Sequence, residues 1–269
     1  MKSSALMVPQ NTLGSMLRFW RQQKNISQLQ LAMDIGISTK HLSYMENDKS
    51  KPSKEMVMYL GQALCLPFRQ QNRLLEAAGY APHFKEQGLD SEEMALVNQA
   101  LQQLLNNHNP FPALVMNSRY DVLLSNSGYQ AFLTAVMGQR NRQQYNNALE
   151  LFFASDGLRS QVKNWDLVAP MLLARVREEA ISLQDDWLLN WVNAVDSPEP
   201  AKDSMGHLNY GLPMLTLEFD FNGKTGRFFT TIATIGTPLD LTTQEIRLEL
   251  LYPADEFTQQ LFTARGNNC

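Results

Sequence analysis

The chain has 269 residues, 44% of them apolar, with two cysteines and a formal net charge of -4. That length favours two domains and that apolar content supplies buried cores, which excludes a disordered chain. Two cysteines exclude a disulfide-stapled scaffold and fit a reducing cytoplasm, and no apolar run approaches the ~18 residues of a membrane span. The charge is unevenly spread. Residues 1–86 carry 11 Lys+Arg against 6 Asp+Glu, a balance of +5, and residues 87–269 carry 12 against 21, a balance of -9. A cationic head on an anionic body is the pattern of a nucleic-acid-binding domain fused to a different module.

Residues 1–11 lack the apolar core of a signal peptide and read as a short disordered lead-in. Leu13 to Gln23 is predicted as an amphipathic helix, with Leu13, Met16, Leu17 and Trp20 on one side. Ser27 is a good N-cap, and Gln30 three residues on completes a capping box for a second helix whose inward residues are Leu31 and Ile35. Ala32 is small where a third helix must cross closely. Gly36 falls where the chain reverses and suits a left-handed turn, and Ile37 plugs the corner. Ser38 caps the third helix, with Leu42 and Met45 inward.

That register leaves Ser38, Thr39, Lys40, Ser43, Tyr44 and Asn47 facing away from the core. Two short helices joined by a tight turn, with hydroxyls, an amide and a lysine outward, suit a helix laid in the DNA major groove. Arg21 is placed to pair with Glu46. Lys49 and Lys51 sit in a following loop positioned to straddle a sugar-phosphate backbone. Ser53 starts a fourth helix through Leu64, and Pro67 opens a fifth that Gly79 stops. The plain alternative is a helical bundle whose polar face is only solvated.

These residues resemble the lambda-repressor/Cro-like, XRE-type helix-turn-helix family over Leu13 to Gly79. The resemblance rests on Gln28, Leu31-Ala32, Gly36, Ile37-Ser38, Leu42-Ser43, Glu46-Asn47 and Lys51-Pro52. It implies a phosphate contact at Gln28 and base-facing roles at Ser38, Thr39, Lys40 and Tyr44. Asp48 departs from the family's frequent glycine. It tolerates the same turn, but it is expected to set a negative charge near the phosphates.

Residues 80–88 break the helical pattern, so 12–80 is read as the helix-turn-helix domain and 81–108 as a linker. A helix from Asp90 or Ser91 to Asn106 is expected in that linker. It packs either on a partner's copy or on its own domain. From Pro112 the period changes. Residues 112–117 and 120–124 form a hairpin around Asn117-Ser118-Arg119. Helices are expected at 127–137, 147–154, 165–180 and 185–195. Strands return at 214–221, 227–235 and 244–252, and a helix closes at 255–264. The result is an α+β domain over 109–265 with a five-stranded antiparallel sheet, beside an all-α five-helix N-terminal domain.

PAS-like sensor domains have this order. The segments Pro112-Ala113, Val115-Met116-Asn117, Tyr120 to Asn126, Trp165 with Ala174-Arg175, Asp185-Asp186 and Gly236-Thr237-Pro238 resemble the C-terminal domain of MmyB-like transcription regulators over Asn109 to Phe262. The resemblance implies a PAS-like domain enclosing an apolar pocket for a fatty-acid-like ligand. Where that family has His-Pro before the third strand, this chain has Leu212-Pro213, so no histidine role transfers.

The residues themselves offer material for a pocket: Phe132, Phe152, Trp165, Leu172, Trp187 and Trp191, with Arg175 on an otherwise apolar face as an anchor for a carboxylate. The alternative is that the aromatics fill a core and Arg175 pairs with Glu179 one turn on. His41, His83, His108 and His207 are scattered and form no metal spacing, and neither a phosphate loop nor a nucleophile elbow occurs. Glu178-Glu179 and Asp185-Asp186 are read as solvated faces or caps. No catalytic residue, metal or cofactor is expected beyond a bound apolar ligand. The reading is a cytoplasmic, homodimeric, ligand-modulated regulator that binds double-stranded operator DNA and no membrane. A protein-interaction module and an enzyme targeted by a helix-turn-helix are the competing classes.

Overall fold

The computed structural model describes residues 12–138, 145–196 and 214–266. The lead-in, Leu212-Pro213 and His207 lie outside the described residues. The chain divides into two compact units, residues 1–86 with 238–244, and residues 87–237 with 245–269.

The first unit contains α1 (Leu13–Gln23), α2 (Gln28–Asp34), α3 (Thr39–Glu46), α4 (Lys54–Ala63) and α5 (Phe68–Ala77). Thr12, Ser27, Ser38 and Ser53 cap the first four by accepting a backbone N–H three residues on. Each such cap contributes about 1 kcal/mol. The expected capping box at α2 is only half formed, because the Gln30 amide donates to Asp34 at 2.7 Å instead of turning back. Leu17, Trp20, Leu31, Leu42, Met45, Leu60 and Leu74 form the core. Gly14 is needed where α1 crosses the end of α3, since a Cβ there would stand 2.7 Å from the carbonyl oxygens of Met45 and Glu46. Leu64 closes α4, and Cys65 follows it, exposed and with φ +49°.

Pro67 cannot cap α5 with its side chain. The Phe68 N–H donates instead to Oε1 of Gln244, at 2.6 Å. Gln244 belongs to α11 (Leu241–Glu245), whereas alternation predicts a strand from that residue on. Leu241 is buried in the same segment and donates its N–H to the Lys85 carbonyl at 2.9 Å. The first unit is thus completed by a stretch more than 150 residues away in sequence.

The second unit holds α6 (Ala95–His108), β1 (Ala113–Met116), β2 (Val122–Ser125), α7 (Ser127–Met137), α8 (Ala148–Phe153), α9 (Trp165–Leu183), α10 (Asp186–Ala194), β3 (Leu217–Phe221), β4 (Lys224–Thr234), β5 (Arg247–Pro253) and α12 (Glu256–Gly266). The strands form one sheet in the order β2-β1-β5-β4-β3, antiparallel throughout. Period two assigns the faces. Ala113, Val115, Ile246 and Leu248 pack with Leu101 and Leu105 of α6. Leu114 and Leu251 point to the other face, into a cluster with Phe132, Val168, Phe219, Phe228 and Phe262. The linker helix therefore covers its own domain's sheet. Asn126 pins the corner between β2 and α7. Its Oδ1 accepts from Ala113 and Tyr129 N–H groups, and its Nδ2 donates to the Leu105 and Phe111 carbonyls.

Replacing Gln244 with alanine removes the acceptor at the start of α5. Hydrogen exchange is expected to show the first α5 amides less protected by about 1 kcal/mol, with sheet amides of the second unit unchanged. Unaltered α5 protection would show that the long-range cap contributes nothing.

Candidate functional site

Two surfaces have the chemistry of recognition, one in each unit. In the first, α2 and α3 are held by a buried carboxylate. Glu46, 2% exposed, accepts from Arg21 at 2.6 and 2.9 Å and from the Gln28 amide at 2.8 Å. Arg18 lies 3.9 Å away. The predicted Arg21–Glu46 pair is present, and the hydrogen bond from Arg21 is the main reason its pKa is raised. Gln28 was expected to face a phosphate, but its amide nitrogen is engaged inward with Glu46.

Ser38, Lys40, Tyr44 and Asn47 are exposed, and Thr39 and Ser43 are half-buried. Ser38 is the α3 cap, so its hydroxyl already accepts from the His41 N–H at 3.1 Å. Asn47 is drawn back by the Ser43 carbonyl at 2.6 Å and by Arg18 at 2.7 Å. Lys40 lies 5.7 Å above the Tyr44 ring. Lys49 and Lys51 are exposed, and Lys51 rests 5.1 Å over Tyr80. Asp48 does take the left-handed turn, φ +54°. Its carboxylate accepts from the Gly14 N–H at 2.8 Å, at the positive end of α1. The negative charge expected beside a phosphate is engaged in capping α1.

The second unit forms a partly open cavity of about 410 Å³ between the sheet and α7–α9, a size typical of small-molecule sites. Of the predicted residues, Phe132, Phe152, Leu172 and Arg175 line it. Trp165 does not. It stacks behind Phe152, with ring centroids 5.4 Å apart. Trp191 packs edge-on against Phe153, and Trp187 packs with Val176 and Leu188, because α10 lies along α9 and buries its indoles there.

The polar end of the cavity holds groups that sequence reasoning missed. Tyr120, Thr230 and Glu249 line it beside Arg175. Glu179 is not on a solvated face. It accepts from the Tyr120 hydroxyl at 2.8 Å and from Arg247 at 2.6 Å. Arg175 approaches Glu179 only to 3.9 Å, and its Nε is buried without a hydrogen-bond partner. Burial, the largest cause, pushes the Tyr120 phenol up to about 12, so it stays protonated. Burial likewise raises the Glu249 carboxyl against the opposing pull of Arg175, Thr230 and Arg247.

A signal for Glu249 was present in the sequence. Arg247, Glu249 and Leu251 alternate on one strand face, and an apolar Leu251 beside two charges argues against a simple solvent face. Among the described residues no cluster of His, Cys, Asp and Glu has metal-binding geometry, and no helix is long and apolar enough to cross a membrane.

The family model of the MmyB-like transcription regulator ligand binding domain matches residues 97–264, more than half of the chain. A helix-turn-helix family model matches residues 17–64. No curated protein matches the chain. A solved structure described as "Structure of an RNA-binding Light-Oxygen-Voltage Receptor" is 8% identical with a TM-score of 0.28, over 95% of this chain and 63% of that one. This chain thus spans less than two thirds of that protein's length.

A carboxyl whose folded pKa is raised binds its proton more tightly folded than unfolded. The stability this gives is complete below the unfolded value of about 4.5 and is lost as pH rises through the folded value. Thermal unfolding between pH 4 and 9 is expected to show Glu249→Gln losing less stability than the parent on the alkaline side. Parallel curves would place no raised carboxyl at this position.

Proposed function

The chain belongs to the MmyB-like transcription regulator ligand-binding domain family, and on that premise we propose a cytoplasmic, operator-binding regulator controlled by a small apolar acid. The DNA reading is supported by exposed Lys40 and Tyr44 and half-buried Thr39 and Ser43 on α3, with exposed Lys49 and Lys51 beyond it. Ser38 and Asn47 stay in this set through their outer atoms, and Gln28 through the backbone at the start of α2. The short polar side chains suit base edges, and the two lysines suit phosphates. The protein acts as a homodimer on a near-palindromic site, as helix-turn-helix domains commonly do.

The ligand reading is carried by one observation: an apolar cavity whose polar end holds a guanidinium with a free donor, Arg175. A fatty-acid-like chain fills the Phe132, Phe152 and Leu172 walls, and its carboxylate meets Arg175. Trp165, Trp187 and Trp191 serve as backing to those walls. The second unit is then a PAS-like sensor. Its ligand regulates only if it binds the DNA-competent and incompetent states with different affinity.

The test is selection of duplexes from a random pool, then titration of the enriched sequence with and without dodecanoate. An enriched half-site pair whose affinity shifts with dodecanoate is the expected result. A pool that never enriches would remove the operator reading, and an affinity indifferent to saturating dodecanoate would remove the control. Lys49→Ala and Lys51→Ala should each weaken binding evenly across sequences and flatten the salt slope by about one. An unchanged slope would take those lysines off the backbone.

A further inference from the structure

The proposed ligand reading leaves the carboxyl that lines the cavity, Glu249, without a role. Glu249 sits on β5 opposite Leu114 of β1 and Ile232 of β4, neither of which titrates. The groups that do face it are few. Arg175 comes from α9, Arg247 from its own strand, and the Thr230 hydroxyl from β4 donates a hydrogen bond to it. Tyr129 of α7 feels its charge. Tyr120 and Glu179 complete the cluster through Arg247.

Their charges can be counted. Arg175 and Arg247 supply two positive charges, and Glu179 with an ionised Glu249 supplies two negative. The empty cluster is balanced. A carboxylate brought to Arg175 adds a third negative charge in a cavity with apolar walls, where an unbalanced charge is costly. A proton on Glu249 restores the balance. It also turns Glu249 from an acceptor that repels the ligand's head group into a donor that can hydrogen-bond to it.

We propose that Glu249 is the specificity-determining residue of this cavity, and that the ligand's carboxylate is held there together with one proton on Glu249. This rests on the apolar-acid reading and adds to it a proton linkage and a preference. The site should favour monoanionic amphiphiles over their amine analogues, and it should bind them less well as pH rises.

The sign follows from linkage. An anion that raises the affinity of Glu249 for its proton must itself bind more weakly once that proton is lost in the empty cavity, by up to tenfold per pH unit. Tyr120 and Tyr129 are both raised well above neutral pH by burial, and guanidiniums stay charged. Over pH 6 to 9.5 the phenols and guanidiniums therefore keep their charge, and Glu249, its carboxyl raised chiefly by burial, is the group at the polar end placed to respond to pH.

The experiment is calorimetric titration of the full chain over that range with dodecanoate, which stays ionised, and with dodecanol, which has no charge. The parent protein should bind dodecanoate at least tenfold more weakly at pH 9.5 than at pH 6 and bind dodecanol evenly. Glu249→Gln should bind dodecanoate with no slope. A flat dodecanoate profile in the parent would overturn the inference while leaving an apolar-ligand site standing, and so would a slope that survives in Glu249→Gln. If neither compound binds at any pH, the ligand reading fails and the inference falls with it. The comparison of the two compounds on the parent protein needs no variant, so a Glu249→Gln chain that does not fold still leaves a decisive result.

Discussion

A charge removed from water must find an opposite charge or hydrogen-bond donors, or the fold that buries it is lost. Both units are organised around a glutamate that meets this demand. In the first, Glu46 gathers Arg21 and Gln28 from α1 and α2 onto the last turn of α3. Three helices are fixed by one carboxylate, and the outward face of α3 is fixed with them. Apolar packing of Leu31, Leu42 and Met45 supplies most of the stabilisation, but it is non-directional. The bidentate pair at Glu46 sets how α3 is turned.

In the second unit Glu179 does the same work for Arg247 and Tyr120. Arg247 and Tyr120 meet Oε2 of Glu179, while Arg175 Nε stands 3.9 Å from Oε1 in a long ion pair and has no hydrogen-bond partner. The guanidinium at the polar end of the cavity thus keeps a donor with no hydrogen-bond acceptor. Tyr120, turned in by a left-handed backbone with φ +68°, seals that corner. A strained non-glycine conformation beside a cavity is where function tends to be found.

Much of this was legible in the residues. The serine caps at 27, 38 and 53, the glycine turn at 36 and the apolar spacing placed α1 to α5 within a residue or two, because these signals act within one helical turn. The first hairpin and the five-stranded antiparallel sheet followed from alternation. Misreadings came where a partner lay far along the chain. Gln244 reads as strand from its neighbours but folds as a helical turn that caps α5. Trp187 and Trp191 carry the composition of a pocket but pack along α9. Asp48 has the charge to repel a phosphate but spends it on α1.

The sequence by itself determined the order and kind of the elements other than α11, the cationic character of the first unit, and the polar face of α3, since each depends on contacts a few residues apart. Only the tertiary structure decided that Arg247 would reach Glu179 more closely than Arg175 does, which aromatics would line the cavity, and that Glu249 would face it. Those outcomes depend on which strands become neighbours in the sheet. Period two tells which side of a strand a residue takes, but it does not tell what that side will meet.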